Sequence, residues 1–178
     1  MTTVHDFSYP YDRVLALIEA EDDAVDRVIS SAHEVRRRNG RVFFIGNGGS
    51  AAIASHMAID FLNKGRFAAM AFNDGASLTC LGNDHGYDQV FIRPFSAHVR
   101  NGDILFAVSS SGKSESVINP ALHAGVVGAS VVTLSGFAPD NRLRSLGAVN
   151  FYVPSESYGV VETAHLAILH AILDRLVD

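Results

Sequence analysis

The sequence predicts an α/β fold, a single parallel sheet with helices over both faces. Two observations carry this. From residue 41 onward, short apolar runs alternate with longer stretches of helical periodicity. The clearest run, Asp103-Ile-Leu-Phe-Ala-Val108, is apolar at consecutive positions after its aspartate, as a strand buried on both faces must be.

Residues 11–38 read as helix, because Val14, Leu15, Leu17, Ile18, Val25, Val28, Ile29 and Val35 recur at steps of about three to four. Arg36, Arg37 and Arg38 suit its C-terminal end, and Asn39-Gly40 stops it. Residues 41–45 form a strand, 46–50 a loop and 51–64 a helix. A second strand spans 67–72, with helices at 76–82 and 88–99 around a polar turn, Gly82-Asn-Asp-His-Gly86. The strand at 103–108 leads into Ser109-Ser-Ser-Gly-Lys-Ser114 and a helix to about 127. Strands at 129–134 and 149–153 flank a short helix near 140–146, and 159–177 is a strongly apolar helix. With no repeat and no low-complexity linker, residues 1–178 read as a single domain, 1–38 being a helical N-terminal segment.

Composition narrows the function classes. Apolar residues make up 48% and charged residues 19%, which is globular rather than disordered. The net charge is −5 and no basic block extends beyond Arg36–Arg38, so no nucleic-acid partner is expected. No apolar run reaches membrane-spanning length, and the N-terminus lacks a signal-peptide layout. One cysteine, Cys80, cannot form an internal disulfide, which fits a cytoplasmic location. The last helix is apolar on almost every side, a pattern that asks for burial between subunits, with the first helix packing beside it.

Two Gly/Ser loops, 46–50 and 109–114, follow strands and open helices, where backbone N–H groups and hydroxyls converge on an anion. Ordinary helix capping explains one such loop; two at strand ends in one chain point to a phosphorylated ligand. Ala107 to Ser114 also approximates a nucleotide-binding P-loop, but Ala107 stands where its first glycine belongs and no strand ends in a magnesium-binding aspartate. His56 and Asp60 share a helix face. Glu162, His165 and His170 lie on the apolar final helix, where an ionisable group is costly unless paired or functional. Helical geometry alone leaves open which histidine joins Glu162, and a satisfied buried pair is the plainer reading.

The order Gly46-Asn-Gly-Gly-Ser50, His56-x3-Asp60, Gly82-Asn-Asp84, Ser109-Ser-Ser-Gly-x-Ser114 and Glu162-x7-His170 resembles the sugar isomerase (SIS) domain family, and within it the phosphoheptose isomerase group. The resemblance implies a flavodoxin-like three-layer α/β/α sandwich with a five-stranded parallel sheet, assembled as a homotetramer with sites at subunit interfaces, a dimer being the smaller alternative. It implies interconversion of D-sedoheptulose 7-phosphate and D-glycero-D-manno-heptose 7-phosphate, or of a related sugar phosphate. Ser109, Ser110, Ser111 and Ser114 would hold the phosphate; Asn47, Gly48, Ser50, Asp84 and Glu162 would contact substrate. Asp60 and His170 would be the acid/base pair, and His56, Asp60, Glu162 and His170 would bind Zn2+. The chain departs from the family pattern where Asp60 replaces Glu, Glu162 replaces Gln, and Gly159-Val160 replaces an Asp-Arg pair. Arg66 stands two residues beyond the family's arginine. A non-catalytic SIS protein that binds a phosphosugar or a protein partner is the competing class.

Overall fold

The computed structural model describes residues 22–178. Helix α1 (Asp22–Arg37) is followed by β1 (Arg41–Gly46), α2 (Gly49–Asn63), β2 (Ala68–Ala71), α3 (Gly75–His85) and α4 (Ile92–His98). Then come β3 (Ile104–Ser109), α5 (Glu115–Val127), β4 (Ser130–Gly136), β5 (Val149–Val153) and α6 (Tyr158–Val177), with 3-10 turns at Tyr87–Gln89 and Leu143–Leu146. The expected helix over 11–38 is present from Asp22; its earlier part, and most of the N-terminal segment expected at an interface, lie outside the described residues.

The five strands pair in parallel in the order β2-β1-β3-β4-β5. Alternate side chains go to opposite faces, as the pleat requires. Val42, Phe44, Ile104, Phe106, Val108, Val132 and Leu134 pack under α1, α2 and α6. Phe43, Ile45, Leu105, Ala107 and Val131 pack under α4, α5 and the Leu143 turn. The result is the expected three-layer sandwich. Because β2 lies on one side of β1 and β3 on the other, the order reverses between β1 and β3, which opens a crevice at their C-terminal ends. Both Gly/Ser loops leave the sheet there.

One local expectation is corrected. Gly82-Asn-Asp-His85 is not a turn but the last part of α3. The helix is started by the Asp74 side chain, which accepts from the Ser77 N–H at 2.9 Å, and it runs on to Gly86, whose φ of 93° ends it. The low helix propensity of Gly82 is offset by the packing of this helix against the Tyr87–Gln89 turn.

Within one chain, helix α6 is only partly enclosed. Val161, Ala164, His165, Ile168, Leu169, Ile172, Leu173 and Leu176 are buried, whereas Val160, Leu166, Ala167 and Ala171 are half-buried. No helix among the described residues is long and apolar enough to cross a membrane.

Candidate active site

The crevice between β1 and β3 holds a polar cavity of about 270 Å3. Its floor is made by the loop Asn47-Gly-Gly-Ser50 and by Ser109, Ser110, Ser111 and Ser114; Tyr158 and Glu162 close one side. The serine loop is held by backbone. The Gly136 N–H donates to Ser110 O at 2.9 Å, and the Leu143 N–H donates to Gly112 O at 3.0 Å. Gly112 has φ 61° and lies against Asn141, so a side chain there would be both strained and blocked. Buried Asn141 in turn donates to Ser135 Oγ, Gly136 O and Ala138 O. Ser110 lines this cavity, and its hydroxyl is buried without a hydrogen-bond partner among the described residues. An orphaned buried hydroxyl is costly, and a rotation of the Ser110 side chain toward an anion in the cavity would satisfy it.

The first loop is tied to its surroundings by Asn47, whose amide donates to Ser116 Oγ and whose carbonyl accepts from the Tyr87 hydroxyl, both at 2.9 Å. Glu162 lies directly over Gly49: a Cβ on Gly49 would fall 2.3 Å from its carboxyl. A side chain at 49 would therefore displace the Glu162 carboxyl from this position. The close approach also places a carboxylate at the N-terminus of α2, where the helix dipole favours negative charge.

A second group forms where α2 crosses α6. His56 Nε2 and His170 Nε2 are 3.2 Å apart. Asp60 Oδ2 is 3.7 Å from His56 Nε2 and 4.0 Å from His170 Nδ1, and its side chain is only 14% exposed. The i,i+4 spacing of His56 and Asp60 brings both to the α6 side of α2, and the packing of the two helices supplies His170. Ligand atoms of the three residues lie within 4.8 Å of one another. Two imidazoles and one carboxylate suit Zn2+, and two nitrogens on one tetrahedral Zn2+ sit about 3.3 Å apart, close to the spacing already present here. With three protein ligands, one position would remain open for substrate or water.

The sequence expectations divide between these two places. Asn47, Gly48, Ser50, Ser109, Ser110, Ser111, Ser114 and Glu162 come together around the cavity. His56, Asp60 and His170 come together at the helix crossing. Glu162, expected also as a metal ligand, is not in that group; its carboxyl sits at Gly49, two turns of α6 or about 12 Å from His170 along the helix axis. Asp84 does not line the cavity. It is exposed, and hydrogen bonds from Asn83 and then Cys80 hold its carboxyl below the ordinary value.

His165, left open against His170 by helical geometry, is fully buried, its Nε2 3.2 Å from Ser135 O and its Nδ1 unpartnered among the described residues. Burial pushes its pKa from 6.5 down to about 4, so it is neutral in the native protein.

Three side chains were not singled out from sequence. Tyr158 and Tyr87 carried no local signal, because their roles depend on where α6 starts and on the Tyr87–Gln89 turn. Lys64 did carry one: it stands four residues after Asp60, and its Nζ is 3.3 Å from Asp60 Oδ2.

Comparison with known proteins gives a consistent picture. The SIS domain family model matches residues 8–136. A phosphoheptose isomerase of Mycobacterium tuberculosis is 36% identical over 171 residues, covering 93% of this chain and 84% of that protein. One from Rhodospirillum rubrum is 37% identical over 150 residues, covering 80% and 78%. The solved structure of a phosphoheptose isomerase from Neisseria gonorrhoeae superposes with a TM-score of 0.85 at 28% identity, covering 96% of this chain and 94% of that one.

Proposed function

Since the chain belongs to the SIS domain family and is a sugar-phosphate isomerase, we propose that it interconverts D-sedoheptulose 7-phosphate and D-glycero-D-manno-heptose 7-phosphate, with the serine loop holding the phosphate and Asp60 and His170 moving the protons. The observation that carries the assignment of roles is the separation of an anion cavity, with its orphaned Ser110 hydroxyl, from a three-residue acid/base group.

In the ketose-to-aldose direction, Asp60 removes a proton from C1 while His170 donates one to the oxygen on C2, giving the enediol. Loss of the O1 proton and return of a proton to C2 then complete the aldose, with no net change in protons. Asn47, Gly48, Ser50 and Glu162, which line the same cavity as the serine loop, would contact the substrate beside its phosphate, and Asp84 is assigned a substrate contact on family resemblance alone. His56, Asp60 and His170 would hold Zn2+, which when bound polarises the carbonyl oxygen. Glu162 is retained as a fourth ligand only as a contribution across subunits.

We assign a homotetramer with sites shared between subunits, and a cytoplasmic location consistent with the lone cysteine. Two features support sharing. Along α2, residues 49 and 60 are about 16 Å apart at 1.5 Å per residue, so one chain's phosphate cavity and its own acid/base group are well separated. Beside that group, Ile59 and Leu62 are 60% and 50% exposed, an apolar face on α2 that a second copy would cover.

Proton NMR of D-sedoheptulose 7-phosphate with the protein in D2O tests the reaction: aldose should appear with deuterium at C2, and the ketose should gain deuterium at C1. Binding without exchange would favour the non-catalytic SIS reading. Treatment with a chelator should abolish turnover and Zn2+ should restore it; turnover untouched by the chelator would remove the metal from the scheme.

A further inference from the structure

We propose that Lys64 competes with the metal ion for Asp60, so that the metal is held more weakly and exchanged faster than its two imidazoles and one carboxylate alone would dictate. The proposal rests on the reading of His56, Asp60 and His170 as a metal site. It starts from one oxygen. Asp60 Oδ2 faces His56 Nε2 at 3.7 Å and His170 Nδ1 at 4.0 Å, and the same oxygen accepts from Lys64 Nζ at 3.3 Å.

The ion pair is built into the helix. Asp60 precedes Lys64 by one turn, the i,i+4 order in which acid before base is the stabilising arrangement. The Lys64 N–H also donates to Asp60 O at 2.9 Å, so the two residues are linked by backbone as well. Without metal, the ammonium neutralises a carboxylate that is only 14% exposed, and this keeps the group assembled.

With metal, the same ammonium opposes binding. A divalent ion sits about 2 Å from its carboxylate oxygen, so it would lie at most about 5.5 Å from the ammonium. Repulsion between a double and a single positive charge at that distance, even at the dielectric of bulk water, lowers an association constant about tenfold. Lys64 is half exposed and can swing into solvent, which relieves part of that repulsion but forfeits its ion pair. The net effect is therefore about three- to tenfold.

The test measures Zn2+ affinity of the full-length protein by competition with a chromophoric chelator, and Zn2+ release by trapping with excess chelator. Lys64→Met and Lys64→Gln should each bind Zn2+ about three- to tenfold more tightly and release it more slowly; Lys64→Arg, which keeps the charge, should stay within about twofold of the parent. Affinity unchanged or weakened in both neutral variants overturns the proposal while leaving the metal site standing, provided Asp60→Asn loses Zn2+. If the parent protein takes up no Zn2+, or Asp60→Asn binds it equally well, the metal reading fails and the proposal fails with it.

Discussion

The serine-loop cavity and the His56–Asp60–His170 group solve different problems by different means. The cavity is built on two short Gly/Ser loops, of which the serine loop has its backbone pinned to the end of β4 and the Leu143 turn. Its backbone is fixed by the fold before any ligand arrives, which favours electrostatic preorganisation. The His56–Asp60–His170 group, proposed to move the protons, is made by side chains of two helices whose residues stand up to 114 positions apart, and His56 is half exposed. The first region is suited to holding a fixed charge and the second to moving protons and exchanging a ligand. Substitutions in the two should therefore act on different kinetic constants.

The largest effect is expected in the second region. Asp60→Asn and His170→Ala should each slow turnover by about 100-fold or more, the usual contribution of a positioned general acid or base, with a smaller change in KM. Steady-state kinetics on the purified variants decide this. A variant that kept its turnover and lost only affinity would move that residue from proton transfer to binding, and would erase the contrast between the two regions.

Helix α6 joins the regions and carries Glu162 at one, His170 at the other and His165 in the core between them. His165 gives the next largest effect, this time on stability. Its native pKa of about 4 lies below its ordinary value of 6.5, so the unfolded chain binds more protons between those values. Stability from keeping it neutral is complete above about pH 6.5 and is lost as the pH falls from there to about 4, a change of about 3 kcal/mol. Urea unfolding at a series of pH values should show this decline in the parent and a flatter profile in His165→Leu; equal slopes would remove His165 as its source.

Much of this is readable from the sequence, and what is not has a physical reason. The strands are legible because runs such as Ile104–Val108 are continuous in apolar side chains, and the serine loop because its donors are adjacent in the chain. The polar stretch Gly82–His85 reads wrongly as a turn because glycine and asparagine disfavour helix locally, whereas the packing of α3 against the Tyr87–Gln89 turn carries no signal in those four residues. Glu162 and His170 share a spacing that family resemblance ties to one site. Yet the straight rise of α6 puts them at opposite regions of the chain, a fact that no motif conveys.

That separation makes the proposed sharing of sites between subunits testable by mixing. Ser111→Asp would place a carboxylate in the proposed phosphate cavity and Asp60→Asn would disable the proposed acid/base group; each variant alone should be inactive. Coexpressed in equal amounts, they should recover about a quarter of the parent activity if cavity and acid/base group come from different chains, because random pairing restores both halves in one site in four. No recovery in a verified hetero-oligomer would mean that both halves of a site belong to one chain.

The smallest effect should come from Glu162, and it sharpens the contrast from the other side. Its carboxylate shares a cavity with the serine loop, so it faces the phosphate that the loop is proposed to bind. The N-terminus of α2, at Gly49, offsets part of that repulsion. Glu162→Gln keeps the shape and removes the charge, and should lower KM by about threefold, the size expected for two like charges several ångströms apart in a solvated cleft. The change should shrink as salt is raised, because mobile ions screen the same repulsion. If turnover instead slowed about 100-fold while KM stayed unchanged, Glu162 would stand among the proton-transferring groups and the two regions would meet at this residue.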